Sequence, residues 1–217
     1  MNKKKVTILS TVGGVIVAVL VVGGLVWYNN VRRFVSTQDA FVDGNEYIIS
    51  APASGKVIGW KGTVGTTYQE GSTIGDIQTR AGDSTSNVAI QTPANATIVD
   101  RTVHTNEFVG IGQPLAYAYQ LNNLYIDANV KETDIRNVHV GAKVDVSVDA
   151  YPGVTLHGTV ERIGLATASN FTMLPSASQN ANFTKVTQVV PVKIDLNGGY
   201  AGIAIDPGMD ASVRIHK

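Results

Sequence analysis

Hydrophobic positions along this 217-residue chain fall into two regimes. From Val6 to Tyr28 the sequence VTILSTVGGVIVAVLVVGGLVWY runs 23 residues without a charge. A helix rising about 1.5 Å per residue would carry that stretch across a bilayer core of about 30 Å, so it predicts a membrane-spanning helix. Beyond it, short runs of β-branched and aromatic residues are punctuated by Gly, Pro, Asn and Asp, which predicts many short strands. The expected strands are Tyr47–Ser50, Gly55–Trp60, Ala96–Val103, Leu124–Val130, Lys143–Asp149, Thr155–Ile163, Val189–Leu196 and Ala211–Ile215. In Lys143-Val-Asp-Val-Ser-Val-Asp149 the valines share one face and the polar residues the other, the pattern of a strand buried on one side. Only Glu132–Val138 predicts a short helical turn.

The strand pattern is written twice. SAPASGKVIG at residues 50–59 returns as QTPANATIVD at residues 91–100, an offset of 41 that holds further along. Ile49 falls on Ile90, Pro52 on Pro93, Val57 on Ile98, Ile58 on Val99, Gly71 on Gly112 and Ile74 on Leu115. Gly71 and Gly112, each three residues before an aliphatic, are expected as turn residues entering a strand. A unit present twice predicts two half-domains that each expose an apolar face and complete a core by joining.

Composition narrows the chemistry. Hydrophobic residues make up 44% of the chain, enough for a core, and there is no cysteine, which excludes disulfides, thiolate zinc sites and cysteine nucleophiles. The net charge of zero divides into +5 for residues 1–33 and −5 beyond, where 12 bases face 17 acids. An acidic body without a basic stripe is not built for nucleic acid. Lys3, Lys4 and Lys5 before the apolar run outnumber Arg32 and Arg33 after it, so the N-terminus is expected in the cytoplasm. Trp27 and Tyr28 suit the headgroup layer at the end of the run. The apolar run exceeds the core of a cleaved signal peptide and no A-x-A-like site follows, which favours an uncleaved anchor marked by Val6, Trp27 and Tyr28.

No catalytic pattern emerges. His104, His139, His157 and His216 are scattered, with no metal-ligand spacing, and no G-x-S-x-G, Walker A or G-x-G-x-x-G motif is present. The expectation is therefore no enzyme, no cofactor and no metal. Residues 166–187 are rich in Ser, Asn, Ala and Thr and predict a long loop. Phe171, Met173, Leu174 and Phe183, apolar groups within that polar run, are candidates for contact with a partner or with an apolar drug.

The halves resemble the biotinyl/lipoyl fold, which reads as Pro-x-x-Gly-x-Val followed by a hydrophobic-x-x-Gly-x-x-hydrophobic turn. Here these are Pro52-Ala-Ser-Gly55-Lys-Val57 with Tyr68-Gln-Glu-Gly71-Ser-Thr-Ile74, then Pro93-Ala-Asn-Ala96-Thr-Ile98 with Val109-Gly-Ile-Gly112-Gln-Pro-Leu115. The second half departs from the pattern at Ala96. Carriers of that fold bear biotin or lipoate on a lysine at the turn between halves, and the turn Gln78–Val88 contains none. From about Asp39 to the end the chain also resembles membrane fusion proteins, the periplasmic adaptor subunits of the haemolysin-secretion D type. The residues concerned are Leu124-Tyr-Ile-Asp-Ala-Asn-Val130, Val140-Gly-Ala-Lys-Val144, Gly158-Thr-Val-Glu-Arg-Ile163 and Pro207-Gly-Met209. Phe171-Thr-Met-Leu-Pro175 and Gln188-Val-Val-Pro-Val-Lys-Ile194 are similar to the drug-extrusion subgroup, which usually has Arg where Val189 stands and often Trp where Phe183 stands.

The resemblance implies a mainly β fold: an N-terminal transmembrane helix, a lipoyl-like barrel-sandwich hybrid and a β-barrel domain. The implied divisions are 1–33 for the N-terminus and anchor, 34–48 for a linker and membrane-proximal strand, 49–121 for the lipoyl-like domain and 122–217 for the barrel and membrane-proximal part. It implies an efflux adaptor in the cytoplasmic membrane, single-pass with its body outside. The expected partner is an exporter, either a major-facilitator multidrug permease or an ABC exporter, and homo-oligomers are expected. Typical members insert a long α-helical hairpin between the lipoyl halves; the 12 residues Gln78–Ala89 are too few for one, which suggests a bacterium with a single membrane. A membrane-tethered biotin or lipoyl carrier and a wall- or ligand-binding surface protein are the alternatives.

Overall fold

The computed structural model describes residues 16, 19–24, 33–82, 84–166, 187–197, 199–200 and 202–217. The anchor positions Val6, Trp27 and Tyr28 and the contact candidates Phe171, Met173, Leu174 and Phe183 lie outside the described residues. Among the described residues no helix is long and apolar enough to cross a membrane. Residues 19–24 are helical, and Val19, Leu20, Val21 and Val22 each expose more than half of their surface. The chain is mainly β and divides into two compact units, one of Met1–Ala40, Asp127–Ile203 and Asp210–Lys217, the other of Phe41–Ile126 and Ala204–Met209.

The second unit is built on the repeat. Strands β2 (Glu46–Ser50), β3 (Gly55–Ile58), β4 (Thr67–Tyr68) and β5 (Thr73–Ala81) recur as β6 (Ser84–Gln91), β7 (Ala96–Arg101), β8 (Phe108–Val109) and β9 (Pro114–Tyr119). One four-stranded sheet has the order β2-β9-β7-β4 and the other β6-β5-β3-β8. Exchanging the halves converts one order into the other, so each sheet takes two strands from each half. Backbone bonds repeat at the same offset. Ala51 N–H donates to Gln113 O at 2.9 Å, and its counterpart Thr92 N–H donates to Ser72 O at 3.0 Å. Val57 N–H donates to Glu107 O at 2.8 Å, and Ile98 N–H to Thr66 O at 3.1 Å. The paired aliphatics Ile49 and Ile90, Val57 and Ile98, and Ile74 and Leu115 are all at most 1% exposed and belong to one core cluster. A half alone would leave that face in water, so the physical reason for the repeat is a shared interior.

The turn glycines Gly71 and Gly112 have φ of 77° and 79°, the left-handed region that L side chains avoid. Gly65, with φ of 83°, is matched 41 residues later by Asn106 at 75°, the one non-glycine with positive φ among the described residues. Asparagine tolerates this conformation better than other L-residues, because its short polar side chain can bond locally. Asn106→Gly is therefore expected to leave stability unchanged or raise it slightly. Asn106→Val should lower it by about 1–2 kcal/mol. Urea denaturation of both variants checks this; equal midpoints would mean that the turn relaxes.

The remaining strands, β1 (Phe34–Asp43), β10 (Tyr125–Lys131), β11 (Lys143–Val148), β12 (Leu156–Ile163), β13 (Val189–Leu196) and β14 (Asp210–His216), close a barrel in the order β1-β10-β13-β12-β11-β14. Closure leaves no unpaired sheet edge. Val144, Val146 and Val148 are at most 1% exposed, as their alternation predicts, and Val192, Ile194, Val213 and Ile215 are buried with them. At the open end of the chain Lys217 N–H donates to Arg33 O at 3.0 Å.

Three expectations change. The strand expected to reach Trp60 stops at Ile58, because Gly59 takes a φ of 59°; the Trp60 ring leaves the sheet, donates its Nε1–H to Gly62 O at 2.8 Å and packs on the core from outside the strand. The helical turn expected over Glu132–Val138 shrinks to a 3-10 turn at Ile135–Asn137, with a second such turn at Leu121–Asn123. The segment expected as a bridging turn, Gln78–Ala89, is not a loop: most of it is strand, in β5 and β6, and only Gly82-Asp83 joins the two.

Candidate functional site

The junction between the halves is where a carrier lysine or an inserted hairpin would stand. Gln78 pairs with Asn87, Thr79 with Ser86, Arg80 with Thr85 and Ala81 with Ser84, so the two strands run on as a ladder past their last buried rungs. Ser84–Asn87 are exposed throughout. Thr79 Oγ1 donates to Ser86 O at 3.2 Å, a cross-strand bond within the hairpin. A Gly-Asp pair between β-branched and polar residues is a two-residue hairpin signal, and the length of the flanking segment concealed it. The nearest lysines are elsewhere: Lys56 sits within β3 opposite Gln78, and Lys61 N–H donates to Ile74 O at 2.7 Å. This junction has neither an attachment point for a cofactor arm nor room for a coiled coil.

Folding does gather titratable groups that looked unrelated in sequence. Asp145 on β11 faces β12 on one side and β14 on the other. His157 Nδ1 lies 3.2 Å from its Oδ1 and His216 Nε2 lies 3.1 Å from its Oδ2. The His216 ring meets Phe34 edge-on at 4.7 Å. The His157 side chain is 74% exposed and that of His216 43%, so these pairs are screened and contribute little to stability. Among the described residues no three His, Cys, Asp or Glu groups are placed to hold a metal ion. His104 only closes its own turn, 3.7 Å from Glu107.

The halves also differ on their surfaces. Phe108 and Ile111 expose 77% and 72% of their surface, whereas their counterparts in the first half are Thr67 and Glu70. An apolar pair in water on one half only is not required by the fold.

Residues 124–215 match the family described as the YknX-like beta-barrel domain. Over all 217 residues the chain is 40% identical to the putative efflux system component YhbJ of Bacillus subtilis and spans 95% of that relative. It is 36% identical over 94 residues, 43% of its length, to the colistin resistance protein EmrA of Acinetobacter baumannii; the matched stretch spans only 27% of EmrA. Among solved structures, the periplasmic adaptor protein EmrA superposes with a TM-score of 0.55 over 85% of this chain and 99% of the other, at 13% identity, a likeness of fold.

Proposed function

This chain belongs to the membrane fusion, or periplasmic adaptor, family of efflux-system components, and we propose that it is the single-span adaptor of a cytoplasmic-membrane exporter. Its work is mechanical and non-enzymatic: it holds the exporter and shapes the exit on the outer side of the membrane. The observation that carries this reading is the doubled module. Two half-motifs interleave in both sheets and are joined by a two-residue connection without a lysine, leaving a module suited to holding and guiding neighbours. The resemblance of Phe171-Thr-Met-Leu-Pro175 and Gln188–Ile194 to the drug-extrusion subgroup favours a multidrug permease of the major-facilitator type over an ABC exporter as the partner.

In this reading residues 1–33 are the cytoplasmic N-terminus and anchor, 34–48 a linker with the first strand, 49–121 the lipoyl-like domain and 122–217 the barrel and membrane-proximal part. The uncharged run from Val6 to Tyr28 and the exposed aliphatics Val19–Val22 favour a crossing with the body outside. The bond from Lys217 to Arg33 brings the C-terminus back beside the residue where the chain would leave the membrane. The β-hairpin in place of a long helical one suits a cell with a single membrane, where no outer channel has to be reached. Self-association is part of the proposal, and Phe108 and Ile111 are the exposed pair that such a contact would cover.

The partner contact is assigned to Phe171, Met173, Leu174 and Phe183. If they anchor the permease, Phe171→Ala combined with Met173→Ala should weaken the hold on the permease about thirtyfold or more, read as loss of its co-purification from membranes, because each truncated anchor costs about 1–2 kcal/mol. The body should keep its thermal midpoint. Drug sensitivity of a strain carrying the variant should approach that of the deletion; wild-type resistance in that strain counts against the loop, and a deletion strain as resistant as its parent counts against the adaptor role itself.

A further inference from the structure

Within the unit formed by Phe41–Ile126 and Ala204–Met209 lies an open cleft of about 610 Å³. That volume lies within the range of drug-sized ligand sites. Its walls are largely apolar, from Phe41, Val64, Val99, Leu121 and Pro207, with Tyr119 beside them and the fully buried Ile98 as floor. The walls are held by backbone bonds rather than by loose side chains. Gly208 N–H donates to Val42 O and Val42 N–H to Met209 O, both at 2.8 Å, which fastens the turn carrying Asp206 and Pro207 to β1. Gly65 N–H donates to Ile98 O at 2.8 Å, which fixes the segment carrying Val64.

The internal symmetry shows what is particular about this place. At an offset of 41, Val64, Gly65, Thr97 and Tyr119 correspond to Thr105, Asn106, Lys56 and Gln78. Val99 and Leu121 correspond to Ile58 and Arg80, so the equivalent surface on the other half keeps an aliphatic at Ile58 but is otherwise polar and carries two bases, and the common fold does not require the apolar cleft. Two carboxylates, Asp43 and Asp206, line the cleft and no Lys or Arg does. Asp43 Oδ1 accepts from Gly44 N–H at 2.7 Å and Oδ2 from Tyr125 OH at 3.1 Å. Among the described residues none of the ion pairs involves Asp43, Glu46 or Asp206. Burial, and then the charges of Glu46 and Asp43, push the Tyr119 phenol above its ordinary value, as a locally negative field would. The whole unit holds eight acids against four bases, a net −4.

We propose that this cleft binds small organic cations with an apolar body, which would bury their hydrocarbon against Val64, Val99 and Leu121 and set their charge between Asp43 and Asp206. The rings of Phe41 and Tyr119 add faces that attract cations. A neutral lipophile would gain only the burial, and an organic anion would meet both carboxylates.

Two probes of nearly the same shape and opposite charge test this: tetraphenylphosphonium and tetraphenylborate, titrated calorimetrically into the purified full-length chain in detergent. The cation should bind saturably and the anion should not. Asp206→Asn removes a carboxylate that accepts no hydrogen bond among the described residues, and should weaken the cation about fivefold, with Asp43→Asn adding a comparable loss. Val64→Lys, at a position 54% exposed, should abolish binding without unfolding the chain. Partition into detergent is the same for every variant and cancels. Equal binding of both probes, or cation binding unchanged in Asp206→Asn and Val64→Lys, overturns the proposal. So does absence of cation binding, and self-association lost in Val64→Lys would then assign the cleft to a second copy. Binding is read on the isolated chain, so its failure is separate from that of the adaptor role, which is read in cells.

Discussion

Gly55→Ala should destabilise the doubled unit by about 2–3 kcal/mol, the range of overpacking in a well-filled core. Gly55 opens β3 where the strand passes between β5 and β8. A Cβ there would run into the carbonyl oxygen of Gln78 and stand 2.9 Å from both the Gln78 carbonyl carbon and Ile77 Cγ2. Two of these three atoms belong to the backbone of a neighbouring strand, so relief requires β5 to move rather than a side chain to turn. The matched position in the other half is Ala96, which is 3% exposed and accepts its methyl group. Ala96→Gly should therefore cost only about 0.5–1 kcal/mol, through the added freedom of the unfolded chain. Urea denaturation of the two variants side by side measures the contrast. Equal losses would mean that β3 and β5 are not packed as closely as this.

The second large effect is expected at Ile74 and Leu115. Each is fully buried in the same cluster, and they occupy corresponding places in the two halves. Truncation of a buried aliphatic to alanine costs about 2–5 kcal/mol, the lost transfer energy plus the cavity left behind. Ile74→Ala and Leu115→Ala should thus each lower stability by about 3 kcal/mol, and by similar amounts, because neither half has an interior of its own. The double variant should depart from the sum of the two, since both sites draw on one core. Thermal denaturation followed by circular dichroism is the measurement. A loss below about 1 kcal/mol at one site with a full loss at the other would show two separately packed halves.

Much of this architecture was legible because its causes are local or periodic. Val144, Val146 and Val148 alternate with polar residues, and a period of two specifies a strand with one buried face wherever the strand finally sits. The offset of 41 marked Ile49, Ile90, Ile74 and Leu115 as equivalent before any contact was known. Gly71 and Gly112 marked turns, because few other residues take a positive φ without cost. The hairpin joining the halves was misjudged for a different reason. From Thr79 to Asn87 its Ser- and Thr-rich rungs carry no apolar alternation, and what holds Gln78 to Asn87 and Arg80 to Thr85 is backbone pairing, which is indifferent to side-chain type.

By itself, then, the order of residues determined a mainly β chain with an apolar N-terminal stretch, a doubled motif with one shared core, and no lysine at the junction of its halves. Those features depend on side-chain period, repetition and the bare presence or absence of a residue type. Tertiary structure alone decided that strands from the two halves interleave in both sheets, that Asp145 stands between His157 and His216, and that Asp43, Tyr119 and Asp206 line one apolar cleft. Such groupings join residues tens of positions apart through strand register and turn geometry. No short-range pattern encodes them, because the energy that brings them together is the burial of the common core and not any attraction among the groups themselves.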